Sequence, residues 1–168
     1  VQRDGEGNQQ VGRKAPARAK VNQHSAVREQ AHRRADNGWR RVRGHIRDLV
    51  SSLNRSPEVD VSLAMECTAS LRETLDHLSE YFVDVILLDL SLPDVHGVNA
   101  ISQIHQSMPN IPIVVLTNVS GWTSMVQCAE AGGRDYLVKN ELDADMLFRS
   151  VFYAYERKQV EDQLRQSK

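Results

Sequence analysis

The stretch Val83-Asp-Val-Ile-Leu-Leu-Asp89-Leu-Ser-Leu-Pro-Asp-Val-His-Gly97 decides the fold. It sets one carboxylate at the end of an almost wholly apolar run and follows it at once with a Pro/Gly loop. A run this apolar is buried on both faces, as a strand is inside a parallel sheet covered by helices. Ligands of open α/β sheets gather at the carboxyl ends of such strands, so Asp89 stands where chemistry is done. Taken alone, an aspartate at a strand end is equally a turn-capping residue.

Outward from this stretch, the pattern repeats. Ile113-Val-Val-Leu-Thr117 is a second apolar strand, ending in a hydroxyl, and Tyr136-Leu-Val-Lys139 is a third, ending in an ammonium. Helical periodicity fills the intervals: Ile46, Leu49, Val50 and Leu53; Leu71, Leu75 and Leu78; Val98 to Met108; Gly121 to Ala131; and about Ala144 to Gln166. Gly132-Gly133 reads as a C-cap. Val59, Val61 and Leu63 alternate and predict a further strand over 59–65. Strands separated by helices of this length imply a parallel sheet with right-handed crossovers, a doubly wound α/β fold of the flavodoxin-like kind.

Asp89, Thr117 and Lys139, in this order and each closing a strand, resemble the receiver domain of two-component response regulators over residues 45–156. The resemblance implies that Asp89 is the phospho-acceptor, that Thr117 and Lys139 stabilise the phosphoryl group, and that Tyr136 is the aromatic switch residue. Chemically the set is coherent. A carboxylate attacking a phosphoryl group meets an anion, and needs positive charge and oriented donors at the oxygens in transfer. The implied partners are a histidine kinase or phosphotransfer protein and an output protein on the 121–155 face, where Trp122 and Met125 lie unless they serve the core. The implied location is cytoplasmic and the role non-enzymatic.

The chain departs from this family at its start. A receiver opens with an apolar strand ending in two acidic residues, which hold Mg²⁺ together with the phospho-acceptor. Counted back from Asp89, that pair falls near residues 39–45, where the sequence is Trp39-Arg-Arg-Val-Arg-Gly-His45. Of the metal ligands the resemblance implies, Asp89 and the backbone carbonyl of Ser91 remain, and the acidic ones are missing. Magnesium is ordinarily anchored by one or two carboxylates with water completing an octahedron, so the site is incomplete. An incomplete sheet of four strands follows, with open edges that invite a homodimer. A second reading comes with it: an unphosphorylated pseudo-receiver acting as a protein-interaction module.

Composition bounds the rest. In 168 residues, 40% of them apolar, there is room for one domain with extensions. Residues 1–43 carry 11 Lys/Arg against 4 Asp/Glu, a net +7, and residues 44–168 carry 10 against 18, a net −8. Residues 1–44 therefore read as a basic segment that is unordered or read in the wrong frame, residues 45–156 as the receiver-like domain, and residues 157–168 as a linker-like extension of the last helix. Clustered basic residues can bind nucleic acid, but neither a helix-turn-helix pattern nor an aromatic platform accompanies them. No run approaches the roughly 20 apolar residues that span a bilayer. Cys67 and Cys128 match no metal spacing and are expected to be reduced. A haloacid dehalogenase type of hydrolase also places an aspartate after an apolar strand, but needs a second aspartate two residues on, and Ser91 stands there.

Overall fold

The computed structural model describes residues 32–167, with side chains from Arg40 onward. The described residues form, in order, α1 His32–Arg55, α2 Leu71–Glu80, β1 Ile86–Asp89, α3 Asn99–Ser107, β2 Ile113–Thr117, α4 Trp122–Glu130, β3 Asp135–Val138, a 3₁₀ turn at Lys139–Glu141, and α5 Ala144–Gln166. The strands form one parallel sheet in the order β1-β2-β3, with Ile86 opposite Ile113 and Val114 opposite Asp135.

Alternation along the strands divides the core in two. Leu87, Val114, Leu116 and Leu137 face α1 and α5, where Ile46, Val50, Leu53, Leu147, Val151 and Ala154 meet them. Ile86, Leu88, Ile113 and Val115 face the opposite layer, against Leu71, Leu78, Ala100, Ile101, Ile104 and Cys128. Every side chain of β1 and β2 is buried, as a sheet covered by helices on both faces requires. The fold is flavodoxin-like, with three strands of its sheet among the described residues.

Local chemistry sets the helix ends. Asp143 caps α5 through a bond from the Met146 amide, 2.8 Å. At the end of α4 the Gly132 and Gly133 amides donate to the carbonyls of Ala129 and Cys128, closing a Schellman motif as the sequence predicts. Gly132 has φ +110°, and a Cβ there would fall 2.6 Å from the His105 ring, so position 132 admits only glycine.

Two differences from the sequence-based expectation concern the missing strand. The sheet has three strands, not four, because 59–65 forms no ladder. Its alternation survives as burial, with Leu63 in the α1/α5 core and Val59 and Met65 packed against it. A strand needs a backbone partner, and here Asn54 of α1 supplies a substitute: its Nδ2 donates to the Leu63 carbonyl (2.8 Å) and its Oδ1 accepts from the Leu63 amide (2.7 Å). One carboxamide thus satisfies both polar groups of a residue that a neighbouring strand would otherwise pair. The second difference is that α1 begins at His32, so residues 32–44 of the basic segment are helical, and Val42 packs partly buried against the core. Residues 1–31, the rest of that segment, lie outside the described residues.

Candidate functional site

Asp89 closes β1 and Thr117 closes β2, while Lys139 follows the last residue of β3. In the parallel register all three ends lie on one edge of the sheet, Asp89 opposite Leu116 and Thr117 opposite Val138. Neighbouring strands are about 4.8 Å apart, so β1 and β3 are separated by roughly 10 Å. The lysine side chain spans this gap across β2, and its Nζ lies 2.6 Å from Asp89 Oδ2. Both side chains are nearly sealed, at 7% and 3% exposure. Burial makes this pair costly to break, because removal of either partner strands a charge in a low-dielectric interior.

The second carboxylate oxygen is also engaged. Asp89 Oδ1 accepts from the Ser91 amide at 2.8 Å, the short Asx contact that a loop turning straight out of a strand allows. Thr117, buried, accepts from the Val119 amide at its Oγ1 (3.1 Å), and the Tyr136 hydroxyl donates to the Val119 carbonyl. Thr117 and Tyr136 therefore hold the two sides of one residue in the β2–α4 loop. Val119 was not among the residues singled out from sequence, since nothing local marks it.

The residues present do not fit Mg²⁺. Among the described residues no group of three or more His, Cys, Asp or Glu side chains could hold a metal ion. The stretch where a receiver carries its acidic pair is part of α1, and holds Arg40, Arg41 and Arg43. Asp89 itself is already neutralised by Lys139. Ser91 lies beside it in the loop, but one carboxylate and one carbonyl make a poor donor set for an octahedral oxygen-seeking ion.

α1 reaches the segment that follows Lys139. His45 Nε2 lies 3.0 Å from the carbonyl of Leu142, just past Lys139. Arg47 and Arg43 stand close to Cys67; burial pushes the Cys67 thiol up despite their opposing pull, and burial alone raises Cys128. Both cysteines are free thiols, and the raised values keep them protonated and unreactive near neutral pH.

Beside the site, the 121–155 face carries large apolar side chains in water. Trp122 is 78% exposed and Met125 43%, so neither serves the core, and Val119, Val126 and Tyr153 are exposed with them. A groove between α4 and β3, lined by Met125, Cys128, Ala129 and Tyr136 among others, holds about 250 Å³. Small-molecule sites usually run from about 300 to 1,000 Å³ and are more enclosed, so the face suits a macromolecular surface better. Among the described residues no helix is long and apolar enough to cross a membrane.

Comparison with known proteins agrees with the fold. The chain is 31% identical over 98 residues to the regulatory protein LuxO of Vibrio vulnificus, covering 58% of this chain and 21% of LuxO. It is 33% identical over 75 residues to the virulence transcriptional regulatory protein PhoP of Salmonella choleraesuis, covering 45% of this chain and 34% of PhoP. The chain thus spans about a fifth to a third of the length of these relatives. Among solved structures it resembles a response regulator receiver domain protein from Clostridium thermocellum, with a TM-score of 0.62 at 19% identity over 84% of this chain and 98% of that one. It also resembles NtrX from Brucella abortus, with a TM-score of 0.65 at 18% identity over 92% of this chain and 30% of that one. The sequence profile of the response regulator receiver domain matches residues 45–151, and by that match the chain belongs to the receiver domain family.

Proposed function

We propose that this chain is the receiver module of a phosphorelay, taking a phosphoryl group on Asp89 from a histidine kinase or phosphotransfer protein and switching a partner on its 121–155 face. The observation that carries this reading is the buried 2.6 Å contact of Lys139 with Asp89 at the carboxyl ends of a parallel sheet. In the transfer a carboxylate oxygen of Asp89 attacks phosphorus as the bond from phosphorus to the donor's histidine nitrogen breaks. An acyl phosphate forms on Asp89, and the imidazole leaves. Lys139 stays within reach to balance the charge added at the phosphoryl oxygens. Thr117 releases the Val119 amide to donate its hydroxyl to a phosphoryl oxygen, and Tyr136, bonded to the carbonyl of the same Val119, follows the loop. Val119 and Trp122 are exposed on that loop and the start of α4, so the rearrangement is presented directly to a partner.

Lacking a divalent template, phosphorylation through this route is slow and depends weakly on Mg²⁺, because a lone ammonium offsets repulsion without orienting both reactants. Such a module acts in the cytoplasm, where its kinase domain would be found.

Borohydride reduces an acyl phosphate to an alcohol. Treated after incubation with a small phosphodonor, the chain should yield a peptide in which Asp89 has become homoserine. Modification elsewhere, or none, would refute the assignment. Because no acidic pair accompanies Asp89 among the described residues, a second reading keeps a specific basis: a pseudo-receiver that binds its partner without phosphorylation. An unmodified chain that still binds its partner, with Asp89→Asn binding equally, would select that reading.

A further inference from the structure

We infer that Asp94 is a positioning residue for Asp89, holding the acceptor loop to the start of α2; the inference rests on the phospho-acceptor reading above. Asp94 lies five residues past Asp89 in the loop that joins β1 to α3. Its two carboxylate oxygens accept separate amides of α2, Oδ1 from Leu71 (2.9 Å) and Oδ2 from Arg72 (3.0 Å).

A helix start leaves its first amides without intrahelical partners, and residues next to it in sequence ordinarily serve them. α2 already has such local service. Ser70 accepts from the Glu73 amide (3.1 Å), and the Glu73 carboxylate accepts from the amide of Ala69, the residue before the cap. The amides of Leu71 and Arg72 are served by a side chain more than twenty residues away, from the very loop that carries Asp89.

The flanking residues make loop and helix start one packed unit. Leu92 and Val95 on either side of Asp94 are buried with Leu71 in the same core. From this anchor the loop runs back through Ser91, whose amide fixes Oδ1 of Asp89, leaving Oδ2 toward Lys139. The chain of contacts therefore goes from the α2 amides to Asp94, along the loop to Ser91, and to the orientation of the attacking carboxylate. Its importance is increased here because the segment leading into α2 forms no ladder with the sheet. Asp94 supplies a polar tie between α2 and the loop that carries Asp89.

The test compares Asp94→Ala with Ser70→Ala, which weakens the same helix end without touching the loop, and with Asp94→Asn, which keeps one acceptor oxygen. Two readouts are taken on the full chain: labelling by phosphoramidate over a range of concentrations, and the amide resonance of Ser91. Asp94→Ala should lower the saturating labelling rate about tenfold with little change in the half-saturating donor concentration, since misplacing a nucleophile acts on the transfer step. It should also shift the Ser91 amide, Asp94→Asn should fall between it and the unaltered chain, and Ser70→Ala should do neither. Equal effects of Asp94→Ala and Ser70→Ala, or an unmoved Ser91 amide in Asp94→Ala, would overturn the inference. If the unaltered chain takes up no label, the phospho-acceptor reading fails by itself, and the Ser91 amide alone then decides the role of Asp94.

Discussion

At the scale of single residues, the site is governed by one buried ion pair. Lys139 and Asp89 are both nearly sealed and 2.6 Å apart, so each is the other's main compensation for lost solvation. Lys139→Met should cost about 3–5 kcal/mol of stability, because it leaves the Asp89 carboxylate buried without a cation. Combining it with Asp89→Leu should restore much of that loss, and chemical denaturation of the two single variants and the double would measure the coupling. Additive losses would show that the pair does not interact as the geometry implies. Asp89, Thr117 and Lys139 were legible in the sequence because each closes an apolar run, and a parallel sheet brings run ends together whatever the loop details. Asp94, Asn54 and Val119 were not, because each acts on a partner that only the folded chain places nearby. One local sign did exist: Ser70-Leu-Arg-Glu73 has the capping-box spacing and marks the start of α2.

Among the elements, the segment over 59–65 shows how an alternating pattern can keep its burial and lose its ladder. Period-two alternation reports which side chains meet the core, while strand identity depends also on a backbone neighbour, and among the described residues no strand pairs with this segment. The Asn54 carboxamide takes that role at Leu63 alone. Asn54→Ala should destabilise the chain by about 1–2 kcal/mol, since two backbone groups lose their partners at a partly buried position, and should speed amide exchange at Leu63. Unchanged exchange there would mean that water or another group serves Leu63 equally well. The tail of α5 is likewise more tied than its polar sequence suggests. Arg134 at the foot of β3 bonds both carboxylate oxygens of Glu161 (3.0 and 2.8 Å), Arg165 donates to Asn110, and Lys158 sits 5.6 Å from the centre of the Phe82 ring. The Arg134 guanidinium, with help from Arg157 and against some desolvation, holds the Glu161 carboxyl below its ordinary value of 4.5. A depressed carboxylate contributes stability that is fully present above 4.5 and lost as pH falls through the lower folded value. Melting curves of Glu161→Gln and the unaltered chain should therefore differ modestly near neutrality and converge below that pH. The contact is a third exposed and screened by solvent, and its effect should shrink in high salt.

At the scale of the whole molecule, the three described strands are covered by helices on both faces. β1 is an edge strand among those described, yet Ile86, Leu87 and Leu88 are wholly buried, Leu87 in the core shared with α1 and Leu63, and Ile86 and Leu88 in the opposite layer against α2 and α3. At the opposite edge, along α4, β3 and α5, Trp122, Met125 and Tyr153 are exposed beside the loop held by Thr117 and Tyr136. In the function proposed above, one loop joins the acceptor at the strand ends to a partner face. The central requirement of that function is that Asp89 be phosphorylated although the described residues offer no magnesium site. Intact-mass measurement after incubation with phosphoramidate, a donor with the phosphorus–nitrogen bond of phosphohistidine, tests this directly. A single phosphoryl adduct that forms slowly, at similar rates with Mg²⁺ and with a chelator, and is absent from Asp89→Asn is the expected result. No adduct under any condition, or one that persists in Asp89→Asn, would contradict it.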